Sequence, residues 1–212
     1  MAVLLDPDGT TIADSEFEAL LASYGVTTES LFRRHEFNLL IGFTRGSGID
    51  VGCGLNKIHA RAVGINLTIG EKDFRYPWGA QLQGRADHLP WFKDGTLDYV
   101  FSSHCLEHTP NPQATLQEWG RVLRPGGRLI LLLPHKDLYP RIGTPHANPD
   151  HKVDLSPDDI REWIDSQELT IDQVDTVRFR LADDPVATSE APRWGHKTLN
   201  FSFEVVARKT KR

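Results

Sequence analysis

Three histidines follow apolar runs that read as strands: His104 and His108 after residues 97–102, and His135 after residues 129–133. Imidazole exchanges a proton near neutral pH, so each is a candidate general base for a reaction that must activate a hydroxyl. A structural hydrogen-bonding role is the alternative for each. His104-Cys105-Leu106-Glu107-His108 also fits the H-x-x-E-H pattern of zinc hydrolases, with two imidazole ligands and a carboxylate base. That pattern requires a helix. Here a strand-like run precedes it and Pro110 and Pro112 follow, so a zinc hydrolase is disfavoured and no metal is expected.

A second group of polar side chains lies in residues 134–155, a stretch without apolar periodicity that contains Tyr139, Arg141, His146, Asp150, His151 and Lys152. Loops of this length in compact domains are usually functional or disordered. Its prolines and its mixture of imidazole, carboxylate and guanidinium groups favour an ordered lid over a bound acceptor, with Tyr139, Arg141, His146 and His151 as contacts. Trp194, within the polar stretch 183–197, is a candidate for the opposite wall or, alternatively, a core plug. An aromatic flanked by Arg193 and His196 suits a sugar or polar ring.

The third feature is Ile49-Asp50-Val51-Gly52-Cys53-Gly54, where a strand-like run enters an acidic glycine turn. Glycine adopts positive φ and admits a ligand close to the backbone. A tight structural turn is the plain alternative. The dinucleotide fingerprint wants a third glycine where this chain has Lys57, and residues 55–61 are too few for a full crossover helix. A pyrophosphate would lose the helix N-terminus that normally binds it.

These residues need a scaffold, and the chain is long enough for one. Its 212 residues and 39% hydrophobic content imply a single domain with one core. The net charge of -5 disfavours a nucleic-acid partner, and the basic residues near the C-terminus read as a solvated tail. No apolar run approaches the roughly 20 residues of a membrane span and no basic-flanked leader is evident, so no membrane partner and a cytoplasmic location are expected. Two cysteines suit a reducing compartment.

The spacing predicts a helical preface over 1–45 and strands near 62–67, 97–102, 129–133, 171–179 and 199–207. The last shows alternating Leu199, Phe201, Phe203 and Val205, as in a strand with unlike faces. One helix follows the Asn111 cap and Pro112 and is stopped by Pro125-Gly126-Gly127; another follows Ser156 and buries Ile160, Trp163 and Ile164. Alternating elements of this kind imply a doubly wound α/β domain. The preface, a ligand-binding half over 46–135 and acceptor-side loops and strands over 136–212 would all belong to it.

The glycine turn, Ala86-Asp87-His88-Leu89-Pro90, residues 103–108 ending in Leu-Glu-His, and Arg121-Val122-Leu123-Arg124-Pro125-Gly126-Gly127 together resemble the class I S-adenosylmethionine-dependent methyltransferases in order and spacing. The resemblance covers roughly residues 46–135. It implies a Rossmann-like fold, with a mostly parallel seven-stranded sheet and helices on both faces, and S-adenosylmethionine as cofactor. By the same resemblance Gly52 and Gly54 pass under the methionine part, Asp50 holds its ammonium group, and Asn66 meets the ribose where relatives carry an acid. Asp87 meets the adenine amino group, Leu67 and Leu89 wall the base, and His88 and Ser103 complete the site. His108 leans structural, because Leu-Glu-His recurs across relatives with different acceptors. The expected acceptor is a polar small molecule, with a sugar hydroxyl as the first candidate. A cofactor-binding domain that catalyses nothing is the alternative.

Overall fold

The structure, a computed structural model, describes residues 40–54, 57–58, 61–68, 80–145, 147–165, 169–177 and 202–210. Most of the expected helical preface lies outside the described residues, as do His146 and Trp194; residues 40–45 contain a 3-10 turn at Ile41–Phe43. Seven strands form one sheet: β1 (Gly48–Val51), β2 (Val63–Asn66), β3 (Leu82–Gln83), β4 (Leu97–Ser103), β5 (Leu123–Pro134), β6 (Leu169–Val177) and β7 (Ser202–Lys209). They lie in the order β3-β2-β1-β4-β5-β7-β6. The first five run parallel, whereas β7 is antiparallel to both β5 and β6. β3 contributes only two residues, so six longer strands carry the sheet.

Continuous apolar runs produce the central strands because both of their faces are covered. All four residues of β1 are buried, and Leu129, Ile130, Leu131, Leu132 and Leu133 of β5 are fully buried. Burying each such side chain contributes roughly 1.5–3 kcal/mol. β7 departs from the expected alternation: residues 202–207 are buried without a break, so both faces of the strand are covered there.

Two described helices pack on the sheet and touch each other. In α1 (Pro112–Val122), Asn111 Oδ1 accepts the N–H of Ala114 at 3.1 Å, and Leu116, Trp119 and Val122 are fully buried. This helix ends earlier than the proline-glycine signal suggests. The chain passes directly into β5 at Leu123, and Pro125-Gly126-Gly127 forms an irregularity in the β4–β5 ladder. Glycine is required there: a Cβ at Gly127 would lie 2.9 Å from the carbonyl oxygens of Leu97 and Arg124. In α2 (Pro157–Asp165), Asp159 accepts the N–H of Ser156 at 2.9 Å across the first turn. Ile160 and Ile164 enter the core, with Trp163 half-buried beside them.

Candidate functional site

The parallel strands bring the carboxyl ends of β1, β2 and β4 to one edge of the sheet, where β1 lies between β2 and β4 and the chain turns from building the sheet on one side of β1 to building it on the other. Ligands in open α/β sheets bind at such a switch point. A cavity of ≈ 390 Å³ lies there, lined by Gly52 after β1, by Asn66 and Leu67 after β2, by residues 84–87, and by His104, Cys105 and His108 after β4.

Gly52 forms part of the cavity wall with φ 74°, and its N–H donates to Ile65 O at 2.8 Å. A Cβ on this residue would come within 2.5 Å of Cys105 Sγ. Both the backbone angle and the space therefore demand glycine. Burial, reinforced by Glu107, pushes the Cys105 thiol up to about 12, which disfavours its thiolate.

Asn66 is held by the turn it faces. Its Oδ1 accepts the N–H of Gly54 at 3.1 Å, while its Nδ2 donates to Gly54 O at 2.9 Å. Gly54, at φ 58°, is therefore a partner of Asn66 and does not line the cavity. Asp50 likewise lies beneath the turn. It is 1% exposed, and its Oδ2 accepts the N–H of Ile58 at 2.6 Å, fastening the crossover that leads to β2. That crossover shows no helix among its described residues.

Asp87 lines the cavity and is clasped by Arg85, whose Nε and terminal nitrogen donate to its two oxygens at 2.8 and 2.5 Å. These bonds hold its carboxyl below the ordinary aspartate range. Leu67 is 68% exposed on the same wall. Leu89, Ser103 and His88 are not on it: Leu89 is buried in the core, Ser103 is buried at the end of β4, and His88 is exposed.

Two of the three candidate bases meet the cavity. His104 has φ 48°, the one positive φ of a non-glycine residue among those described, and strain of this kind concentrates at functional sites. Its Nε2 shares a hydrogen bond with Ser202 Oγ at 2.8 Å, and its Nδ1 lies 3.6 Å from Glu107 Oε1. His108 lines the cavity with Nε2 3.8 Å from the same oxygen. His135 does not line it. Its ring packs edge-on against Phe203, and its Nδ1 accepts the N–H of Asp137 at 3.1 Å.

The segment after β5 is ordered by its own turns and fastened at both ends. Lys136 donates to Leu155 O at 2.7 Å, and the N–H of Lys152 donates to Glu107 O at 2.8 Å. This delivers His151 to Glu107: the residue is 7% exposed, its Nε2 lies 3.8 Å from Glu107 Oε1, and Tyr139 stacks on its ring at 5.1 Å. Burial, then the neighbouring His108 and His104, push His151 down to about 4. Arg141 points elsewhere, pairing with Asp137 and donating to Lys136 O at 2.9 Å. Glu107 entered the sequence reading only as the base of the disfavoured zinc-hydrolase pattern. It is fully buried, neither carboxylate oxygen makes a hydrogen bond, and burial pushes it up to about 8.

Residues 49–131 match the family model of the methyltransferase domain. Over that segment the chain is similar to the S-adenosylmethionine-dependent methyltransferases. Norajmaline N-methyltransferase of Rauvolfia serpentina is 28% identical over 43% of this chain and 37% of its own length. A demethylmenaquinone methyltransferase of Streptomyces griseus subsp. griseus is 31% identical over 49% of this chain and 50% of its own. The matched segments span between 31% and 57% of these and two further curated relatives. A solved S-adenosylmethionine-dependent methyltransferase from Archaeoglobus fulgidus shares the fold with TM-score 0.61 at 14% identity, covering 91% of this chain and 99% of that one.

The methyltransferase family implies S-adenosylmethionine as cofactor, and the cavity fits it. Its volume lies in the range of small-molecule sites, and Gly52 keeps the space that any side chain would fill. The wall offers the Asp87 carboxylate to polar groups of a ligand and Ile65, Leu67 and Ala86 to its apolar parts.

Proposed function

We propose that this methyltransferase domain methylates a polar small molecule that enters beside His104 and His108. The observation that supports this reading is the presence of both imidazoles on the wall of the cavity that includes Gly52. When bound, S-adenosylmethionine supplies a methyl group activated by a positively charged sulfur. Gly52 would present backbone to the cofactor, Asn66 would fix the turn through Gly54, and Leu67 and Asp87 would hold the cofactor's nucleoside end. The domain's own task is orientation, because in-line displacement rewards a fixed approach of the two reacting atoms. We assign His104 to accept the proton of a hydroxyl acceptor at Nε2, the acceptor hydroxyl taking the place that Ser202 Oγ holds at 2.8 Å, while Nδ1 faces Glu107. The segment 134–155 would cover the acceptor and exclude water.

The relatives are named for norajmaline N-methylation and for demethylmenaquinone, so their names give no preference for a sugar. A panel of sugars, phenols, quinols and amines incubated with radiolabelled S-adenosylmethionine tests the proposal. It predicts transfer to one class, with His104→Ala lowering kcat by about 10²–10⁴ for a hydroxyl acceptor while donor affinity is kept. Donor binding with no transfer to any class would favour the second reading, a cofactor-binding domain without turnover. That reading draws on Asn66, whose amide is engaged by Gly54.

A further inference from the structure

Glu107 poses a physical problem that the cofactor site does not solve. A fully buried carboxylate is tolerated when it is hydrogen-bonded, paired with a charge or bound to a metal. Neither oxygen of Glu107 has a hydrogen-bond partner, and the side chain is 0% exposed. What surrounds it instead is imidazole. His108 Nε2 and His151 Nε2 each lie 3.8 Å from Oε1, beyond hydrogen-bond range. One ligand atom from each of Glu107, His108 and His151 falls within 4.8 Å of the others.

We propose that Glu107, His108 and His151 bind a divalent first-row transition-metal ion of the zinc type. Two imidazoles and one carboxylate form a ligand set used by zinc and by non-haem iron, with further positions left open. With bonds of about 2.0–2.2 Å, ligand atoms on one tetrahedral ion sit roughly 3.3–3.5 Å apart. Closing the two 3.8 Å separations to that value takes shifts of a few tenths of an ångström, and closing the widest separation in the cluster, up to 4.8 Å, takes about one ångström more, shared between the His108 and His151 side chains. The scaffold is set for it. Glu107 and His108 share the 3-10 turn Leu106–His108, and the Lys152 N–H bond to Glu107 O clamps the segment carrying His151 onto that turn. Tyr139 stacks on the His151 ring and restricts its rotation.

The helix demanded by the H-x-x-E-H pattern is absent, and His104 is not one of the three ligands. Glu107 and His108 belong to a site completed from the opposite segment. Because His108 also lines the cavity, the open coordination positions border the space beside the methyl donor. Resting on the methyltransferase reading, the ion would bind and polarise the acceptor oxygen, lowering the pKa of its hydroxyl. This commits the acceptor to an oxygen donor with affinity for a hard or borderline cation, such as an enol, phenol or vicinal diol.

The test uses the full untagged chain, stripped with chelator and free of methyl donor. Titration with Zn²⁺ followed by calorimetry should show one tight equivalent, and Co²⁺ should give visible ligand-field absorption. His151→Ala and Glu107→Gln should each weaken zinc binding by at least about tenfold. His135→Ala, on an imidazole away from the cluster, should leave it unchanged. Absence of a stoichiometric site for both Zn²⁺ and Co²⁺ in the wild-type chain overturns the proposal, whatever the folding of the variants. So does zinc affinity that survives both substitutions. Donor binding measured on the same samples separates the two readings: a chain that binds S-adenosylmethionine but no metal keeps its methyltransferase reading and loses this one. A chain that binds metal but no donor does the reverse.

Discussion

Only an amide can make both bonds of Asn66, accepting the N–H of Gly54 and donating to its carbonyl. A carboxylate at this position would keep the first bond and set two oxygens against each other at the second. The account therefore makes Asn66 a fastener of the cofactor turn, where resemblance alone had it as a weakened ribose ligand. Asn66→Asp distinguishes these roles. As a fastener, its replacement costs about 1–3 kcal/mol in urea unfolding and weakens donor binding. As a ribose ligand, the restored acid would tighten donor binding in the same calorimetric assay. The residue was conspicuous in the sequence, but its partner was not. Gly54 lies twelve positions away, and only the pairing of β1 with β2 brings the two together. Glu107 was obscured in the same way, because His151 reaches it through a loop whose course no periodicity encodes.

Elements were readable wherever burial on both faces imposes an uninterrupted apolar run. Residues 129–133 gave β5, and Leu97 to Ser102 gave β4. Where two residues suffice for pairing, as in β3, there is no pattern to find. The N-terminus of α1 was marked by its cap, but its end was misplaced, because Pro125-Gly126-Gly127 serves the β4–β5 ladder. Helix α1 also positions the cofactor wall. Glu118 Oε1 accepts the N–H of Leu89 at 2.7 Å, Arg121 donates to the carbonyls of Leu89 and Phe92, and Trp119 Nε1 donates to Ala86 O at 2.8 Å. The helix thus grips the backbone on both sides of Asp87. Glu118→Ala should destabilise the chain by about 1–3 kcal/mol and reduce donor affinity severalfold. Full donor affinity in a destabilised variant would show that the loop holds its shape without the helix.

At the scale of the molecule, acid should be the weak side of its stability. Among the described residues, three carboxyl groups, Asp87, Asp98 and Glu118, are held below their ordinary values in the folded chain. Arg85 lowers Asp87, and Arg121 lowers Glu118; burial opposes ionisation of Asp98, but the Ser47 N–H and Arg124 outweigh it. A group with a depressed folded pKa stabilises the fold above its unfolded value, near 3.9 for Asp and 4.3 for Glu, and loses that contribution as pH falls through the folded value. Melting temperatures should decline as pH drops below about 4.5, and Glu118→Gln should decline less steeply than the wild type. A profile flat to about pH 3 would mean that these bonds contribute nothing net. The central claim, however, concerns the cavity at the ends of β1, β2 and β4. It is tested most directly by calorimetry of S-adenosylmethionine with the wild-type chain and Gly52→Val, whose Cβ would meet Cys105. The account predicts one equivalent bound by the wild type, competed by S-adenosylhomocysteine and lost in the variant. Absence of binding to the wild type, or equal binding to the variant, would contradict it.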